Sequence, residues 1–285
     1  MIGLIKSLHR TFKRGRHLRA GRVRLSPYRL AIESACGGPV RFAGGSGGGH
    51  DYIFCVTRGP CPVAMLRIAN PDYVPDGTPL ADRLNGPRIR LTPRERIARE
   101  RRLCAAGCAQ GLAPQPLWLA ENGEAFLNAY VDGLRLFDWV QRGALPLWDA
   151  IELAARHANR FHAVVGEAHM DLSLFNVIAD ASLARLTFID FELAPSPALT
   201  LAESRLFDFL NLVEMAYKFM SRADRAAAPQ RLGRLLSEIV PADVRAAPAA
   251  RLTAKLPRLA GDPALGGLLS LPLISSPSTG ACLEP

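Results

Sequence analysis

"AHMDLSLFNVIADASLARLTFIDFELAP" spans Ala168–Pro195 and sets Asp171, Asn176 and Asp190 into a chain built largely from Ala, Leu and Arg. Two short apolar runs, "NVIAD" and "ARLTFID", read as the strands of a hairpin. Such a hairpin returns its two ends, Asn176 and Asp190, to one point in space, next to Asp171. A buried polar turn with Asp190 as a cap is the plainer alternative.

Upstream, "VRFAGGSGGGHDYIFCV" (Val40–Val56) reads as strand, glycine loop, strand, and "VAMLRIA" (Val63–Ala69) as a third strand carrying Arg67. "NPDYVPDGTPLADRLNGPRIR" is rich in Pro, Asp and Gly and predicts an exposed loop. "TPRERIARERRLCAAG" predicts a helix with Thr92 as N-cap, Pro93 as first helical residue and Glu95 as reciprocal partner in a capping box. Glu100 shares the apolar face of Ile97 and Cys104 on that helix. "PLWLAENGEAFLNAYVDG" predicts two strands around a tight Asn122-Gly123 turn. From Leu134 onward the pattern is mainly helical, and the Ala/Pro-rich stretch after Pro241 is weakly patterned.

At 285 residues, with 49% hydrophobic and 21% charged residues, the chain is of globular type and long enough for a substantial core. No stretch approaches the ~20 consecutive apolar residues that span a bilayer. The N-terminus does not read as a secretory signal, because its apolar run ends at Ile5 and cationic residues follow. Six cysteines without a Cys-x-x-Cys pair point to a reducing compartment, so a cytoplasmic location is expected.

The net charge of +9 resides at one end. Lys6, Arg10, Lys13, Arg14, Arg16, Arg19, Arg22, Arg24 and Arg29 precede the first acidic residue, and the rest of the chain is balanced. Ile2, Ile5, Leu8 and Phe12 recur at helical steps beside these cations, the pattern of a segment that lies on an anionic membrane surface. A solvated basic tail, or one folded back on the protein, would carry the same residues. Nucleic acid is not expected as a partner, since no interleaved aromatics or nucleic-acid fold signature accompany the charge.

The Ala168–Pro195 stretch resembles the catalytic core of the kinase-like phosphotransferases, the group spanning protein kinases, aminoglycoside and choline kinases, and lipopolysaccharide-core sugar kinases. His169-Met170-Asp171, with Asn176 five residues after the aspartate, matches the His-x-Asp-(x4)-Asn loop. Asp190-Phe191-Glu192 matches the metal-binding Asp-Phe-Gly position in the form where Glu replaces Gly. The resemblance implies an α+β, bilobal protein-kinase-like fold with a small antiparallel-sheet N-lobe carrying one helix and a mostly helical C-lobe. It implies ATP and Mg2+ as cofactors, Asp171 orienting an acceptor hydroxyl, and Asn176 and Asp190 as metal ligands. Gly44, Gly45, Gly47 and Gly48 would cover the phosphates, Arg67 and Glu100 would take the places of the usual lysine–glutamate pair, and Asp132 would stand in the linker beside the adenine. Asp208 is expected to brace the catalytic loop. The organisation expected is a basic arm over 1–32, an N-lobe over 33–131 and a C-lobe over 132–285, with the tail after about 270 open to disorder.

Two departures bear on the substrate. The only lysines are Lys6, Lys13, Lys218 and Lys255, so Arg67 is the sole basic residue near the lysine position. Only 18 positions separate Asp190 from Asp208, too few for the activation loop and peptide platform of a protein kinase. A small-molecule, sugar or glycolipid acceptor is therefore expected, with a lipopolysaccharide-core sugar first and the inner membrane face as its place of work. Two other readings stay open: a pseudokinase that binds nucleotide without turnover, and an atypical protein kinase.

Overall fold

The computed structural model describes residues 19–44, 51–71, 86–249, 252 and 255–270. Its first half is an antiparallel five-stranded sheet, built from β1 (Arg41–Gly44), β2 (Asp51–Arg58), β3 (Cys61–Ala69), β5 (Pro116–Leu119) and β6 (Ala125–Ala129) in the order β1-β2-β3-β6-β5. Alternation gives this sheet two different faces. Phe54, Val56, Leu66 and Ile68 are buried on one side under helix α1 (Arg29–Ala35), with Leu25 and Ile32 packed into the same cluster. Ile53, Met65 and Arg67 line the opposite side, toward the second lobe. The end of the basic segment thus roofs the sheet.

Helix α2 (Pro93–Gly107) starts on the capping box expected from sequence, with Thr92 and Glu95 exchanging both bonds. Such a cap is worth about 1 kcal/mol. The helix ties the lobes together, since Ile97, Leu103 and Cys104 belong to the apolar cluster that continues through the helical half. Arg99 extends that link by donating to Glu167 Oε2 at 2.6 Å and to the Ala168 carbonyl at 2.8 Å, at the start of the Ala168–Pro195 stretch.

The second half is carried by α3 (Leu136–Gln141), α4 (Leu147–Val165), α5 (Leu201–Tyr217) and α6 (Arg222–Arg234). Between α4 and α5 runs the predicted hairpin, β8 (Val177–Ala179) against β9 (Leu186–Phe188), with Val177 opposite Phe188. A two-residue strand, β7 (Leu134–Arg135), adds to its edge. Gly133, which enters β7, has φ +136, and a Cβ there would lie 2.3 Å from the Ala179 carbonyl oxygen. No other residue allows the linker to pass so close to the hairpin.

The bilobal α+β arrangement expected from sequence is the one observed. Three local features differ from the sequence reading. Part of the Pro/Asp/Gly-rich segment forms a strand, β4 (Arg88–Arg90), paired antiparallel with β10 (Leu193–Pro195). Pairing with a distant segment, not local propensity, makes it a strand. The described part of the stretch after Pro241 packs onto the helical lobe, with Val244, Leu256, Leu259 and Leu265 buried. There the buried Glu214 accepts bonds from the Arg258 and Leu259 amides and from Arg258 Nη1. Finally, the 120–123 turn is closed by the Gly123 amide donating to the Ala120 carbonyl, with Gly123 alone at positive φ. The expected tail disorder concerns positions outside the described residues, as do all but Gly44 of the phosphate-covering glycines: Gly45, Gly47 and Gly48 lie outside them too.

Candidate active site

The Ala168–Pro195 stretch is held from beneath by one carboxylate. Asp208 of α5 is fully buried and accepts from the His169 amide at 2.6 Å, the Met170 amide at 2.7 Å and the His162 ring at 2.8 Å. Met170 has φ 70 and Asp190 has φ 68, a left-handed conformation that costs a non-glycine residue on the order of 1 kcal/mol or more. Asp208 offsets that strain at Met170 by satisfying its amide and its neighbour's. Asp208→Asn would turn an amide group toward one of these donors; the expected result is a loss of about 1–3 kcal/mol in denaturant unfolding, with transfer activity falling in parallel.

His169 is a structural residue of this loop. Its Nδ1 accepts from the Asp171 amide at 3.2 Å and its Nε2 donates to the Ile189 carbonyl at 3.0 Å. Burial pushes its pKa down, which favours this neutral form, protonated on Nε2. Phe191 stacks on Phe161 at 5.4 Å and packs against the His169 ring at 4.8 Å, so the two halves of the quoted stretch share one apolar support.

Above this support, Asp171, Asn176 and Asp190 converge. Asn176 Nδ2 donates to Asp171 Oδ2 at 3.0 Å and to the Asp171 carbonyl at 2.9 Å. With its amide nitrogen spent there, the Asn176 oxygen is left for another partner. Asp190 is one-third exposed, and its Oδ1 takes a 2.5 Å bond from Arg67 Nη2. Burial raises the Asp171 pKa to about 7, against the pull of Arg88.

Arg67 is the centre of the charge network. Its Nε lies 3.1 Å from Glu100 Oε2, an ion pair off hydrogen-bond alignment. Nη1 donates to Asp51 Oδ2 at 3.2 Å and stands 3.7 Å from Glu192. Burial opposes its charge, but Glu100, Asp190, Asp51 and Glu192 together hold it firmly protonated. Arg96 grips Asp51 with two bonds, 2.6 and 3.2 Å, and donates to the Leu91 carbonyl. This Asp51–Arg96 pair explains how an arginine fits where a lysine is usual. A guanidinium has five donors in a rigid fork, and an extra buried acceptor is needed to hold it.

These groups border a cavity of about 410 Å3 between the lobes. Arg67, Glu100, Asn176 and Asp190 line it on one side, and Val131 and Gly133 of the linker on another. Asp132 does not: it is exposed and lines a separate hollow with Gly111, Asp180 and Arg185. Alternation along the extended linker turns it away from its neighbours. Gly44 ends β1 opposite Phe54.

Sequence reasoning missed Asp51, Arg96 and Arg88. Arg88 donates to Asp171 Oδ1 at 2.7 Å from a segment read as a loop. "HDY" at the mouth of β2 was the available signal for Asp51, an acid directly after the glycine loop.

No protein-family model matches the chain, and no curated protein matches it. Among solved structures, the chain is similar to that of the bifunctional kinase-methyltransferase WbdD, with 16% identity over 74% of this chain and a TM-score of 0.43. The match spans only 43% of the WbdD chain. It is also similar to a choline/ethanolamine kinase family protein from Mesorhizobium loti, with 13% identity, 90% of this chain and 95% of that one covered, and a TM-score of 0.43.

Proposed function

We propose that the chain transfers the γ-phosphoryl group of ATP to a hydroxyl of a non-protein acceptor. The observation that carries this reading is a cavity edged by Asn176 and Asp190, with Asp171 hydrogen-bonded to Asn176 beside it, that Arg67 and Glu100 enter from the other lobe. Phosphoryl transfer asks a protein to position a hydroxyl and to neutralise phosphate charge, and these side chains are of the kinds required.

Asn176 and Asp190 would hold Mg2+. The fit is in the donor set: an amide oxygen freed by its nitrogen's bonds to Asp171, and an exposed carboxylate with one oxygen on Arg67. Phosphate oxygens and water would complete the cation's coordination. When bound, the cation supplies neutralisation of the phosphate charge. Asp171 orients the acceptor hydroxyl and takes its proton; the acceptor oxygen bonds to the γ phosphorus as the bond to the β–γ bridging oxygen breaks, and ADP leaves. Besides donating to Asp190, Arg67 lines the cavity where it would grip the phosphates.

For the acceptor, a sugar or glycolipid of the lipopolysaccharide-core type is the class we place first. From Leu193 to the end the chain has no acidic excess of the kind a cationic acceptor needs. The segment between Asp190 and Asp208 holds only β10 and a turn before α5, leaving no peptide platform. The basic arm favours work at an anionic membrane face. Among the described residues no helix is long and apolar enough to cross a membrane.

One observation favours a second reading, a nucleotide-binding module without turnover: the direct Arg67–Asp190 bond competes with a metal for the same carboxylate. A thermal-shift titration separates the two from each other and from a wrong assignment. Mg2+–ATP is expected to raise the melting temperature, by the equivalent of about 2.7 kcal/mol at a hundredfold excess over Kd. Nucleotide binding without labelled product from any hydroxyl acceptor would leave the second reading, and no stabilisation at all would remove both.

A further inference from the structure

Arg88 is the charged side chain bonded to the group that would receive the acceptor, Asp171. Its strand, β4, is anchored across β10, with Arg88 opposite Pro195, so it is fastened to the direct continuation of Asp190-Phe191-Glu192. Nη1 donates to Asp171 Oδ1 at 2.7 Å and to the Met170 carbonyl at 3.3 Å, and the guanidinium lies 5.9 Å above the Phe207 ring. Its Nε and Nη2 make no hydrogen bond among the described residues, and the side chain is 36% exposed. Asp171 Oδ2 is taken by Asn176. Each carboxylate oxygen thus carries a side-chain bond, and a hydroxyl that approaches Oδ1 shares or displaces the Arg88 contact.

We infer that Arg88 selects the acceptor, favouring hydroxyl compounds that carry a phosphate or carboxylate close to the accepting hydroxyl. The inference rests on the phosphotransferase reading and names its substrate class. The physical reason is an exchange of partners. When the hydroxyl takes the place of Nη1 on Asp171, the guanidinium loses a charge-assisted bond. An anionic substituent replaces that bond and engages the two unused donors in the planar, bidentate geometry that guanidinium groups favour. A neutral acceptor leaves the arginine uncompensated, and a cationic one meets it head-on.

The test uses the full chain saturated with Mg2+ and a non-hydrolysable ATP analogue, so that the γ-phosphate position is filled. Inorganic phosphate, glucuronate and choline are then titrated by calorimetry into wild type, Arg88→Ala and Arg88→Lys. Wild type is expected to bind both anions and not choline. Arg88→Ala is expected to weaken both anions roughly tenfold or more, and Arg88→Lys to restore part of the loss, while analogue affinity stays within about twofold across the three. Equal anion affinity in wild type and Arg88→Ala, absence of anion binding in wild type, or a preference for choline would overturn the inference. Failure of the analogue itself to bind would instead strike the phosphotransferase reading. Vesicles of phosphatidylcholine with and without phosphatidylglycerol locate the anion: Arg88-dependent binding to the anionic vesicles marks a lipid-borne group. Arg88-independent vesicle binding, alongside Arg88-dependent binding of free phosphate, marks a soluble acceptor.

Discussion

Asp190→Ala is expected to reduce phosphoryl transfer by at least about a thousandfold, equivalent to roughly 4 kcal/mol of transition-state stabilisation, while leaving the fold intact. The carboxylate is one-third exposed at the cavity edge, so its removal opens no cavity in the core. Its loss would remove the proposed metal ligand and also releases Arg67 Nη2, which donates to it at 2.5 Å. Arg67 keeps Asp51, Glu100 and Glu192 within ion-pair distance, and for that reason the structural cost is expected to be small. Single-turnover measurements with labelled ATP, beside a melting curve for each protein, check both halves. Retention of more than a tenth of wild-type transfer, with Mg2+ dependence unchanged, would remove Asp190 from the metal site.

Asp51→Ala carries the largest expected stability change. Asp51 is buried and is shared by two buried arginines, Arg96 through two bonds and Arg67 through one. Although burial opposes its ionisation, those hydrogen bonds and charges hold its pKa below the usual carboxylate value. Deleting one member of a buried ionic cluster leaves the others desolvated and under-compensated, which typically costs ~3–5 kcal/mol. A drop of that order in urea unfolding is expected, together with weaker nucleotide binding as Arg67 loses its rear support. The double variant Asp51→Ala/Arg67→Lys is expected to recover part of the stability, because a lysine brings fewer donors to satisfy. Additive losses in this pair would show that Asp51 acts independently of Arg67.

Much of the site was legible because it is local. The residues from His169 to Asp190 form one uninterrupted loop and hairpin, so their order and spacing carry their geometry. The capping box at Thr92 was legible for the same reason, since its two bonds span three residues. Asp208 was found through the pattern of α5, though which amides it accepts from is a tertiary fact.

Arg88, Asp51 and Arg96 were not legible. Arg88 sits 83 positions from Asp171, and Arg96 lies 45 positions from Asp51; no short motif links either pair. The direction of the Asp132 side chain was illegible for a related reason. Sequence places a residue in the linker, but only the course of the backbone decides which of two adjacent side chains faces the cavity.

By itself, then, the order of residues determined the two-lobed α+β plan and the oxygen-bearing cluster around Asp171, because hydrophobic period, caps and a tight hairpin act over a few residues. The tertiary structure alone decided which further charges meet: Asp51 behind Arg67, and Arg88 on Asp171. Coulombic and hydrogen-bond partners are chosen by proximity in space, and that proximity exists only after the lobes have packed.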